Sequence, residues 1–182
     1  GASRAAYWGS ASLARLQALG EEQGVNFADS VFAISGTSGG ALGAATFVAA
    51  LDARRQAANA AACTPWQLVR DFTGRDHLAT PVGYLLYPDF AQRFLPVAFA
   101  GADRSLALEG VWTRDWPRAL ASHCPPGPQA EQNPWSQPLT ALRTRATDTQ
   151  WLPLLALNTA ALSRGQRVYQ NDFLMPAADG ID

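Results

Sequence analysis

The chain has 182 residues, with 14 basic groups against 15 acidic ones and a net charge of −1. That balance gives no broad positive field and excludes a nucleic-acid footprint. No apolar run reaches the roughly 18 residues of a membrane span, the start is not a signal peptide, and two histidines with two distant cysteines make no metal-site pattern.

All the basic residues are arginine. The Arg54-Arg55 and Arg143-Thr144-Arg145 clusters read as solvated faces, and no metal is expected. Cys63 and Cys124 form no recognisable disulfide framework, so they leave the compartment unread.

In chain order, Leu13, Leu16 and Leu19 recur at helical spacing and predict a helix from about Ala5 to Gly20. The small residues before it, with Gly1, Ala2 and Ser3 leading to Arg4, read as a loop whose backbone N–H groups can stabilise an oxyanion. The plainer reading is a helix start with Ser3 as cap. A strand follows from about Ser30 to Ser35, and then comes Gly36-Thr37-Ser38-Gly39-Gly40. This G-x-S-x-G spacing puts Ser38 on a sharp strand-to-helix turn, where Gly36 and Gly40 remove side-chain clashes. The helix dipole and its free N–H groups favour negative charge there, which suits an activated serine. A phosphate-cradling turn is the alternative, but the lysine and longer spacing of a P-loop are missing.

The helix after Ser38 is expected to run towards Ala60, apolar on nearly every side in its first half. Pro65-Trp66 opens a less regular insert. Within it, residues 81–87 and 94–99 are apolar, aromatic and broken by prolines. They suit a lipid-facing cap or acyl-chain groove, or else internal packing. Residues 122–138 read as loop. The run from Trp151 to Asn158 reads as a buried strand whose Pro153 end is an edge or bulge. Asp172 then follows the Val168-Tyr169 strand as a solvated or turn residue. His77 and His123 lack a context that recommends either as a base, and read as surface or hydrogen-bonded histidines. Strands alternating with long helices predict a three-layer α/β arrangement with a mostly parallel sheet, without internal repeats or a domain boundary.

The loop and the elbow together resemble the patatin-like phospholipases, closest to the bacterial members. Gly1, Ala2, Ser3 and Arg4 match the end of that family's glycine-rich oxyanion loop, with Ala2 where a glycine is usual. Residues 36–40 match its elbow. Asp71-Phe72, residues 78–81, 87–90 and 94–96, Asp103-Arg104 and Leu108-Glu109 are similar to its apolar insert. Trp151 to Thr159 and residues 165–168 are similar to a later strand and glycine turn.

The resemblance implies that residues 1–182 are part of one catalytic domain, with the insert at about 66–145 and no second domain. It also implies a serine–aspartate dyad, no cofactor, and a phospholipid or other fatty-acyl ester as substrate. Ser38 would attack the carbonyl, the N–H of Gly39 and the Gly1–Ser3 loop would hold the oxyanion, and Arg4 would anchor the loop. Transfer to an alcohol uses the same acyl-enzyme. The dyad aspartate is expected in an Asp-Gly-Gly or Asp-Gly-Ala segment beyond Asp182. Asp179, followed by Gly180 and Ile181, is the weaker alternative. Peripheral membrane contact fits this reading, with a membrane-associated or cytoplasmic location. The alternative from another class is a lipid-binding pseudoenzyme of the same fold.

Overall fold

Helix α1 spans Ala2–Glu22 with Gly1 as its N-cap, so residues read as a loop are its first turn. The computed structural model describes residues 1–96, 99, 101, 103–124, 133–144, 151–161 and 166–172. After a 3-10 turn at Phe27–Ser30 come strand β1 (Ala33–Thr37) and helix α2 (Gly39–Gln56), with Ser38 between them. Helix α2 stops short of the expected Ala60, and Asn59 caps a separate 3-10 turn at Ala60–Ala62.

The face that α1 buries is not its leucine stripe. Ala6, Ser10, Ala11, Ala14 and Gln17 are buried, while Leu16 and Leu19 are exposed. The cause is the closeness of α2. A Cβ on Gly43 would sit 2.8 Å from the Ala6 carbonyl oxygen, so only small side chains fit the crossing. Ser10 meets that constraint by turning its hydroxyl onto its own helix, donating to the Ala6 carbonyl at 2.8 Å. The far end of α1 is tied down by Gln17, whose side-chain oxygen accepts from the Ala28 N–H at 2.9 Å.

The insert is more regular than its prolines suggest. It contains α3 (Pro65–Gly74), α4 (Ala79–Tyr84), a π-helical segment (Leu85–Asp89), α5 (Phe90–Gln92), α6 (Arg104–His123) and α7 (Ala141–Thr144). Pro65 occupies the first turn of α3, where its missing N–H costs no helical bond. Pro117 lies inside α6 and leaves the carbonyl four residues back without a helical donor. Asn133 fills that gap, its side-chain amide donating to the Thr113 carbonyl at 2.7 Å. Phe72 of α3 stacks on Trp135 and meets Trp116 of α6 edge-on, joining the insert to the core built around Phe47, Val48 and Leu155.

Strands β2 (Leu154–Ala161) and β3 (Gln166–Asn171) complete a sheet of order β1-β2-β3 among the described residues. The β1–β2 pair is parallel, with Thr37 opposite Asn158, and β2–β3 is antiparallel. The chain is therefore mixed α/β, and of the mostly parallel sheet expected, the described strands show one parallel pair, β1–β2, and one antiparallel pair, β2–β3. Pro153 precedes β2 and leaves its ladder intact, so β2 is the central strand, not an edge. Helix α2 packs on the sheet through the side bearing Ile34, Leu155 and Leu157. Ala33, Ser35 and Thr37 on the opposite side are exposed.

Two residues read as solvated are internal ties. Asp172 is buried, accepting from the Leu155 N–H at 2.9 Å and from Arg143 at 2.8 Å. Arg143 also donates to the carbonyls of Leu152 and Pro153, so its guanidinium clamps the approach to β2. The Arg54-Arg55 pair is likewise engaged, Arg54 with Glu21 and Arg55 with the buried Asp52. No helix among the described residues is long and apolar enough to cross a membrane.

Cys63 and Cys124 form a disulfide that joins the entry of α3 to the end of α6. Sequence distance concealed this pairing, because 61 residues separate two cysteines that the helices bring together.

Candidate active site

Ser38 has φ 55° and ψ −127°, the single non-glycine residue with positive φ among the described residues. L-residues avoid this region because Cβ crowds the backbone, at a cost of about 1–3 kcal/mol. The strain follows from position: the chain leaves β1 at Thr37 and enters α2 at Gly39, so one residue makes the whole turn. Ser38 is exposed at that corner.

The glycines around it have unequal roles. A Cβ on Gly36 would lie 2.7 Å from backbone atoms of Ala41 and Gly40, so the returning helix requires glycine there. A Cβ on Gly39 would lie 2.0 Å from the Ala2 carbonyl oxygen, whereas one on Gly40 would meet nothing within 4 Å. The steric relief expected of Gly40 therefore belongs to Gly39. Gly39→Ala is expected to destabilise the fold by about 2–3 kcal/mol, because backbone must move to admit the methyl group. Gly40→Ala should be neutral or gain up to about 1 kcal/mol of helix propensity. Denaturant melts of the two variants check this, and equal stabilities would contradict the assignment.

Contact between Gly39 and Ala2 brings the N-termini of α1 and α2 together. Ala5 makes the first helical bond of α1, to the Gly1 carbonyl, and Ala41 and Leu42 bond to the Ser38 carbonyl. The N–H groups of Ala2, Ser3 and Arg4, and those of Gly39 and Gly40, precede those bonds and have no intrahelical acceptor. Two positive dipole ends thus meet beside the Ser38 turn. Ser3 sits inside the first turn and is not the cap. Arg4 is exposed beside it.

Behind the turn, the Asn158 side-chain amide donates to Ser35 Oγ at 2.8 Å and to the Gly36 carbonyl at 3.2 Å. In the sequence Asn158 marks only the end of a strand. Its parallel register with Thr37 makes it the strut of the elbow.

The other titratable residues lie elsewhere. Asp172 stands at the start of β2, the opposite end of the sheet from Ser38, with both carboxylate oxygens occupied. Asp179 lies outside the described residues. His123 approaches Asp71 at 3.2 Å on the insert. There the Arg75 hydrogen bond holds the Asp71 carboxyl below its usual range, against a raising effect of burial.

His77 is neither a surface residue nor a hydrogen-bonded one. It is 8 % exposed, packs on Phe72, and its Nε2 is buried without a hydrogen-bond partner, 3.8 Å from Asp115. Burial pushes its pKa below the ordinary 6.5, and Asp115 offsets this in part. The unfolded chain therefore takes up a proton more readily as pH falls through about 6.5, and stability falls with it. Melting temperature should drop by several degrees between about pH 7 and pH 5, and His77→Gln should flatten that slope. Parallel slopes for the two proteins would exclude His77 as the cause.

Among the described residues no group of three or more His, Cys, Asp or Glu side chains could hold a metal ion. Compared with known proteins, the chain matches no family model, no curated protein and no solved structure.

Proposed function

We propose that this chain is a serine-dependent lipid acyl hydrolase with Ser38 as nucleophile. The observation that carries the reading is the strained backbone of Ser38 at the junction of two helix N-termini. Strain held at one exposed polar residue supports a functional role, since a glycine there would hold the same turn without it. In the reaction Ser38 Oγ adds to an ester carbonyl and its proton passes to a base. Free N–H groups of Gly39 and of the α1 first turn receive the oxyanion as the tetrahedral intermediate forms. Expulsion of the alcohol leaves an acyl-serine, which water cleaves to release the fatty acid.

The patatin-like resemblance supplies the finer reading, a three-layer fold and an aspartate as base, with Asp179 or a later residue in that role. The insert supports a lipid substrate. Leu78, Val82, Leu86, Phe90 and Phe94 recur every four residues and are all exposed, 47–75 %. This stripe suits peripheral contact with a lipid surface.

A second reading, a lipid-binding protein without catalysis, draws on one observation. No described side chain hydrogen-bonds to Ser38 Oγ, so no base is in place among the described residues. A fluorophosphonate probe separates the two. Covalent labelling mapped to Ser38 by peptide mass spectrometry supports the hydrolase. Failure to label folded protein favours the binding reading.

A further inference from the structure

A cleft of about 320 Å³ opens beside the first two turns of α1, between that helix and the end of α3. Arg4, Tyr7, Trp8, Arg75, Asp76 and His77 line it. Ser3, next to the Ala2 carbonyl that packs on Gly39, and Leu78, where the exposed apolar stripe starts, also line it. The volume lies at the low end of the ligand-pocket range of about 300–1,000 Å³, enough for a polar head group but not a whole lipid.

The charges along the wall sort into engaged and uncompensated ones. Arg75 is held by Asp71 through two hydrogen bonds, at 3.2 and 2.9 Å. Arg4 is in no ion pair among the described residues, and the free N–H groups of the α1 first turn add positive potential around it. Asp76 accepts the backbone N–H groups of Leu78 and Ala79 through one oxygen and is likewise in no ion pair. One cation and one anion therefore line the cleft outside any ion pair among the described residues. His77 also lines the cleft, but its Nε2 is buried 3.8 Å from Asp115 and does not serve a ligand there.

The aromatic wall has its own selectivity. The Tyr7 and Trp8 rings are 6.4 Å apart and nearly perpendicular, at 88°. Arg70 lies 3.4 Å from the Tyr7 hydroxyl, while Trp8 is 70 % exposed. The exposed indole of Trp8 attracts a substituted ammonium group, which sheds its water more readily than a compact cation.

The geometry points to this cleft as the subsite for a zwitterionic phosphodiester head group carrying a quaternary ammonium, as in a phosphatidylcholine. Arg4 takes the phosphate, and Trp8 with Asp76 takes the ammonium. The assignment of this cleft as part of an ester-cleaving site rests on the Ser38 reading.

Binding of glycerophosphocholine, which carries no fatty-acyl ester for Ser38 to cleave, tests the cleft apart from catalysis. Calorimetry on Ser38→Ala protein should detect it below about 10 mM, with phosphate alone and choline alone each binding more weakly. Arg4→Gln and Trp8→Ala alter exposed side chains and should each weaken binding about five- to tenfold. Arg15→Gln, further along α1, should bind as the parent does. Absence of binding, or affinity that both cleft variants leave within about twofold, overturns the subsite. Phosphate binding as tightly as glycerophosphocholine overturns the zwitterionic assignment. Ester turnover without glycerophosphocholine binding removes the cleft and leaves the hydrolase standing. Binding without labelling of native Ser38 removes the hydrolase instead.

Discussion

Ser38→Ala is expected to lower turnover of a fluorogenic acyl ester by at least about 10³-fold, some 4 kcal/mol of transition-state stabilisation. The remaining N–H donors would still polarise a carbonyl, but no oxygen would stand at the turn to form the acyl-enzyme. A companion variant separates chemistry from folding. Ser38→Gly removes the nucleophile and also the Cβ responsible for the strain at φ 55°. It should be as inactive as Ser38→Ala and more stable than it by about 1 kcal/mol. Loss of activity with a gain in stability is what a strained functional residue predicts. Unchanged turnover in either variant would remove Ser38 from the mechanism, and equal stabilities would remove the strain argument.

The elbow was legible in the sequence because its requirements are local. A five-residue glycine spacing behind an apolar strand fixes a turn, and the turn fixes the position of Ser38 whatever surrounds it. What the sequence concealed depends on neighbours distant along the chain. Gly39 matters more than Gly40 because Ala2 lies against it, and nothing in residues 36–40 announces that contact. The leucines of α1 have the stronger periodic signal, yet the alanine and serine stripe is buried because Gly43 lets α2 approach closely. Asp172 and Arg143 look like surface charges on their own segments, and only the fold buries the carboxylate and pairs it with the guanidinium. Trp8 gave no signal beyond an aromatic residue in a helix. Its neighbour across the cleft, Asp76, is separated from it by two intervening helices in sequence order. Prolines misled in the other direction. Pro65 suggested irregular chain but starts a helix, and Pro117, which lies inside α6, is accommodated by Asn133.

Loss of the Cys63–Cys124 disulfide is expected to be the most damaging change to stability. Linking these positions closes a loop across a sequence separation of 61 residues. The chain-entropy relation puts the benefit of such a link at about 4 kcal/mol, chiefly by restricting the unfolded chain. The bond also has a local role, since the Thr64 N–H donates to the His123 carbonyl at 3.2 Å beside it. Entry to α3 and exit from α6 are thus fastened twice. Reduction with dithiothreitol, or the Cys63→Ser/Cys124→Ser double variant, should lower unfolding free energy by about 2–4 kcal/mol in denaturant melts. Each single serine variant should lose about as much as the double, because either change breaks the same bond. Disulfides persist in oxidising compartments, so thiol counts should differ with the site of expression. Protein made in an oxidising compartment should expose no titratable thiol on denaturation without reductant. Two free thiols in such protein, or an oxidised melt that dithiothreitol leaves unchanged, would show that the insert is held by its Phe72, Trp116 and Trp135 packing alone.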